Sequence, residues 1–169
     1  MSSQHRAAGS ADDQLSITEA LIDLPFPLQE ESSLREGGWS GPGFHLAVLR
    51  ESQDFWDDRS EEITEAAEQE LESDLAVLAA TLTGRWGNPT LVDLWPYLGL
   101  DHPDPDYAAP EPLSFLSMVA GSMWVWRLPA ADRWLALTIG QADPEFPFQL
   151  LAAVGEAASL RDDAGGHGG

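Results

Sequence analysis

The chain has 169 residues, enough for one domain with a sizeable core, and no cysteine, which excludes a disulfide framework, a thiol nucleophile and a cysteine-bound metal. Its 8 basic residues are all arginine and face 29 acids, for a formal net charge of −21. A surface of that sign repels nucleic-acid phosphates and anionic lipid and draws in a basic partner. A high-GC coding bias or a salt-adapted proteome gives the same composition without a partner, so charge alone does not decide function.

Residues 1–14 are small and polar, which predicts a disordered tail with no apolar core of a signal peptide. No stretch nears the roughly 18 apolar residues of a membrane span, so a cytoplasmic location is expected. Ser16-Ile17-Thr18-Glu19 has the spacing of a capping box and predicts a short helix to Asp23, stopped by Pro25. Pro25, Pro27, Gly37-Gly38 and Gly41-Pro42-Gly43 predict a loop over 25–43. Phe44 to Arg50, short and apolar on both faces, reads as a strand.

A long amphipathic helix is predicted over about 56–83. Ile63, Ala67, Leu71, Leu75, Leu78 and Leu82 recur at steps of three or four and form one apolar stripe. A start near Asp54 to Ser60 sets Asp54, Asp57 and Asp58 at the positive end of the helix dipole, and Gly84 offers a C-terminal cap. Opposite the stripe lie Asp58, Glu61, Glu62, Glu65 and Glu72, with Glu68 at the edge. Asp58–Glu62, Glu61–Glu65 and Glu68–Glu72 are like-charged pairs one turn apart, each costing about 0.2–0.5 kcal/mol. A docked cationic partner would relieve that repulsion. An ordinary solvated face in an acidic protein is the plainer reading.

Thr90 to Trp95 predicts a short strand closed by Pro96, and the proline-rich 96–112 a loop. Leu113 and Leu116 would face inward from one or two helical turns near 112–118. The strongest signal is the hairpin of 122–140. Trp124, Trp126 and Leu128 alternate with Met123, Val125 and Arg127; Arg133, Leu135, Leu137 and Ile139 alternate with Trp134, Ala136 and Thr138. The turn Pro129-Ala130-Ala131-Asp132 then sets Leu128 against Arg133, Trp126 against Leu135 and Trp124 against Leu137. The other face would pair Arg127 with Trp134, a cation–π contact on a decorated outer surface, and makes Trp134 a candidate for partner binding. Phe148 to Val154 reads as a third strand, with helix the alternative, and 158–169 as a disordered tail.

Chemistry is harder to find. His45 on its strand reads as structural, while His102 beside Asp101, Asp104 and Asp106 is a weak metal candidate that lacks the glycine and distal glutamate of a calcium loop. Gly38-Trp39-Ser40-Gly41-Pro42 misses the last glycine of a nucleophile elbow, and no phosphate or dinucleotide loop occurs.

The sequence therefore predicts an α+β fold: a small, mainly antiparallel sheet centred on 122–140, with the long helix packed on one face, in a single domain over 15–157. The function it suggests is a non-enzymatic binding protein, monomer or homodimer, that neutralises a basic partner. In its most concrete form this is an immunity or inhibitor protein acting on a toxin, since nuclease toxins need a cationic groove. A chaperone or adaptor for a secreted effector and a carboxylate- or metal-dependent hydrolase are the alternatives. Asp58, Glu61, Glu62, Glu65, Glu68, Glu72 and Trp134 are the expected partner-binding residues, and no cofactor is expected.

Overall fold

Seven antiparallel strands form one sheet in the computed structural model, which describes residues 11–33, 38–100 and 103–160. In chain order they are β1 (Glu31–Ser33), β2 (Gly38–Gly41), β3 (Phe44–Glu51), β4 (Thr90–Asp93), β5 (Ser122–Leu128), β6 (Arg133–Gly140) and β7 (Gln149–Glu156). Their spatial order is β1-β2-β3-β7-β6-β5-β4. With the helices α1 (Ala11–Asp23), α2 (Glu61–Trp86) and α3 (Leu113–Val119), the fold is α+β.

The hairpin β5–β6 has the expected register, pairing Leu128 with Arg133, Arg127 with Trp134, Trp126 with Leu135 and Trp124 with Leu137. Its turn is closed by the Ala131 and Asp132 amides donating to the Leu128 and Pro129 carbonyls. β7 takes the strand alternative, pairing with both β6 and β3, and is buried on both faces. Its Ala152 and Ala153 sit at the centre of the sheet, where small side chains let a layer approach from either side.

Both faces are in fact covered. On one, Trp126, Leu128, Leu135 and Leu137 meet Leu78 and Leu82 of α2 and Leu21 of α1, so the leucine stripe and the tryptophan-lined face bury each other as expected. On the other, Met123, Val125, Trp134 and Ala136 pack against Leu94, Tyr97, Leu113, Leu116 and Leu160. The decorated outer face foreseen for Trp134 is therefore a second core. Trp134 is 0% exposed, and its indole N–H donates to Ser159 Oγ at 3.0 Å. Arg127 instead reaches past it to the Ala157 and Leu160 carbonyls, at 3.2 and 2.9 Å.

Several boundaries move, each for a local reason. α1 begins at Ala11, with Asp12 and Asp13 in its first turn at the positive end of the helix, so Ser16 lies inside it rather than at its cap. Residues 11–14 thus belong to the fold, and Gln14 is buried. Residues 157–159 form a 3₁₀ turn that places Leu160 in the core, so 158–160 belong to the fold and not to a tail; residues 1–10 and 161–169 lie outside the described residues. The loop over 25–43 contains β1 and β2, held by backbone pairing to β3 without any alternation to announce them. α2 starts at Glu61 and runs through Gly84 to a cap at Gly87, whose φ of 88° suits glycine. The extra turn is held by Trp86 against the core and by the Arg85–Glu19 ion pair to α1. Pro96 opens a 3₁₀ turn, Trp95–Leu98, after β4.

Arg133 fastens α1 to the sheet. Its Nη1 donates to the carbonyls of Leu21, Ile22 and Leu24 at 3.3, 2.7 and 2.9 Å, at the C-terminal end of the helix, and its guanidinium lies 3.9 Å from the Phe26 ring centre. Arg133→Ala should cost about 2–3 kcal/mol in urea unfolding, and limited proteolysis should then cut first between α1 and β1. An unchanged unfolding midpoint would show that α1 docks by its apolar face alone.

His45 sits beneath the same crossing. The Leu24 carbonyl can only accept, so Nε2 carries the proton at 2.9 Å and Nδ1 accepts from Ser40 Oγ at 2.6 Å. Burial holds the imidazole's pKa below its ordinary value, outweighing the Leu24 carbonyl that pulls it up; the nearby Arg133 charge lowers it further. The fold therefore prefers neutral His45. Its stabilising contribution is full above about pH 6.5 and is lost as pH falls through the lower folded value. Between pH 7 and 5.5 the wild type should lose more stability than His45→Gln, measured as the shift in urea midpoint. Equal slopes would remove His45 from the pH dependence.

Candidate functional site

α2 turns three different flanks to its surroundings. Ala67, Leu71, Leu78 and Leu82 are buried towards the sheet. Glu70 and Asp74 lie on the shoulder over β3, where Arg50 meets both: Nη2 to Glu70 at 3.1 Å and Nη1 to Asp74 at 2.7 Å. Gln14 Nε2 adds a further donor to Asp74 at 3.0 Å. That shoulder carries its own counter-charge, one guanidinium against two carboxylates.

The opposite shoulder differs. Glu61, Glu65, Glu68 and Glu72 follow one another at steps of four, three and four, which at about 100° per residue keeps them on one strip. Among the described residues no arginine is ion-paired to any of the four. Arg59 is spent on Glu145 and Arg85 on Glu19, while Arg127 and Arg133 donate to backbone carbonyls. The like-charged pairs Glu61–Glu65 and Glu68–Glu72 thus persist as the helical spacing foresees.

Below this strip the sheet is left uncovered. α2 roofs the middle strands, and its edge forms a groove of about 390 Å³ against the start of β5 and the end of β6. Glu68, Glu72 and Leu75 line one side, Gly121, Ser122 and Trp124 another, with Thr138 and Ile139 completing it. Trp124 is 38% exposed although its neighbour two residues on, Trp126, is 1% exposed. Leu91, paired with Trp124 across β4 and β5, is also exposed. The result is an apolar shelf rimmed by carboxylates.

A second exposed aromatic feature sits at the same end of the sheet. Trp56 and Phe146 meet as tilted rings, with centroids 5.6 Å apart, on the two loops that connect β3 to α2 and β6 to β7. Those loops are braced together: the Phe55 amide donates to the Glu145 carbonyl at 2.9 Å, Arg59 pairs with Glu145 at 3.0 Å, and Phe55 packs on Phe148. Trp56 remains 62% exposed on these braced loops.

The remaining expected site residues fall differently. Asp58 precedes α2, and its Oδ1 accepts from the Ser60 amide at 2.9 Å, so Asp58 and Glu62 do not form a pair on the helix. Glu62 is exposed on the outer flank. Trp134 cannot meet a partner from its place in the core. Asp104 accepts from the Asp106 amide at 2.9 Å, a local turn, and Asp101 and His102 lie outside the described residues. Among the described residues, no group of three metal-ligating side chains comes together. The Ser40–His45 pair has the atoms of a nucleophile and base, but the imidazole is 1% exposed beneath the Phe26 ring at 5.0 Å, a place for structure rather than substrate.

Among the described residues, no helix is long and apolar enough to cross a membrane. Comparison with known proteins gives no matching family model, no matching curated protein and no matching solved structure.

Proposed function

We propose that this protein is a non-enzymatic binding protein that holds a basic protein partner along the β5-facing shoulder of α2, in the manner of an immunity or inhibitor protein neutralising a toxin. One observation carries the reading: of the two acidic shoulders of the same helix, the one over β3 has its own arginine and, among the described residues, the one over the groove has none. Repulsion of about 0.2–0.5 kcal/mol per pair is retained where an exposed indole and an open groove adjoin it. Carboxylates around an aromatic anchor complement a cationic surface, with the charges speeding encounter and the aromatic group supplying contact area.

Affinity capture with the tagged protein from its native host's lysate, washed at low and then high salt, tests this. A stoichiometric basic protein released by salt supports the reading, and a toxin among the released proteins supports the immunity form; a secreted effector would mark the protein as a chaperone. A folded bait that retains no basic protein at low salt contradicts it.

A further inference from the structure

Resting on that reading, we propose that the groove between α2 and β5 is an arginine pocket, taking a single guanidinium from the partner between the Glu68 and Glu72 carboxylates and the face of Trp124. The two glutamates are one helical turn apart on the same wall, and the indole stands beside them, half out of solvent. A guanidinium is planar and weakly hydrated, so it can stack on an indole while its N–H fork donates to carboxylates at its edge. An ammonium is a compact, strongly hydrated charge and can use one of those features well at a time. The rest of the lining suits the arginine stem: Leu75 and Ile139 are apolar, and Ser122 is small. Gly121 keeps one side open, since a Cβ built on it meets no atom within 4 Å.

The chain holds one arginine on an aromatic ring already, Arg133 lying 3.9 Å from the Phe26 ring centre. The groove differs in offering both an aromatic face and two carboxylates with no described cation paired to them. Charge complementarity then selects the occupant, a basic protein's exposed arginine.

The test uses N-acetyl-arginine methylamide, its lysine counterpart and the uncharged citrulline counterpart. Each is titrated at low ionic strength into the full-length protein and followed by the amide resonances of Gly121 and Ser122 and the Trp124 indole N–H. Arginine should shift these signals in a saturable way and bind about threefold more tightly than lysine, with citrulline without effect. Trp124→Ala should bring arginine down to the lysine level in the amide signals. Gly121→Leu, which adds bulk at the rim where a Cβ meets nothing, should abolish the titration while leaving the unfolding midpoint unchanged. Equal binding of arginine and lysine in the wild type would overturn the proposal, as would shifts confined to the Glu61–Glu65 turn. Salt-sensitive capture of a basic protein that survives both Trp124→Ala and Gly121→Leu would overturn the pocket and leave the binding function standing. Loss of capture on reversing the glutamates alone would have the same meaning if both groove variants bind normally.

Discussion

Trp134→Ala is expected to destabilise the protein by about 3–5 kcal/mol, the range for removing a large aromatic side chain from a packed core. The indole is fully enclosed, and its N–H is satisfied by Ser159. It also lies over Gly155, its partner on β7, closely enough that a Cβ there would clash with the indole. Truncation would therefore leave a cavity over the sheet and remove one of the two hydrogen bonds of the Ser159 hydroxyl, which would keep only its donation to the Glu156 carbonyl. Urea unfolding should show a lower midpoint with an unchanged slope. Trp124→Ala, at a partly exposed position on the opposite face, should cost far less in the same assay. A Trp134→Ala change below about 1 kcal/mol would contradict the second core.

Glu72→Arg is expected to separate binding from folding. Placed four residues after Glu68, the arginine turns a like-charged pair into an opposite-charged one in the favourable orientation, which should raise stability by about 0.3–0.5 kcal/mol. The same change neutralises Glu68 and puts a cation at the mouth of the groove. Binding of the basic partner should fall about thirtyfold, with a slower on-rate and a weaker salt dependence. Glu70→Gln serves as the control, because Glu70 lies on the other shoulder, where it is already paired with Arg50, and it should alter affinity by less than about twofold. Similar losses from Glu70→Gln and Glu72→Arg would mean that the helix acts through bulk charge, with no preferred shoulder.

Much of this was legible in the sequence, and the limits have physical causes. Alternation and a four-residue turn fix a hairpin register locally, so the pairs from Leu128–Arg133 to Trp124–Leu137 follow from pattern alone. Leu113 and Leu116 point inward from α3 for the same sort of reason. Alternation says which residues share a face, but whether another layer covers that face depends on distant segments. Trp134 was misplaced on that account, since its cover comes from α3, the turn after β4 and Leu160. β1 and β2 carry Glu-Ser-Ser and Gly-Trp-Ser-Gly, which have no apolar period, and exist by pairing with β3.

The site divides in the same way. Helical spacing put Glu61, Glu65, Glu68 and Glu72 together, whereas the ion pairs of Glu70 and Asp74 depend on Arg50, which lies 20 and 24 residues away in the chain. Trp124 carried the signal of an apolar hairpin face. Only the place where α2 ends its coverage of the sheet distinguishes it from Trp126. Trp56 and Phe146 sit in segments without periodicity, and their pairing follows from the loop bracing at Glu145.

The most direct measurement is carbodiimide labelling of carboxylates, read by mass spectrometry, on the protein alone and in complex with the basic protein it captures. Glu68 and Glu72 should lose most of their labelling in the complex, Glu61 and Glu65 part of it, while Glu70, Asp104 and Asp143 label as before. Unchanged labelling of Glu68 and Glu72 in a stoichiometric complex would place the partner elsewhere and contradict the account.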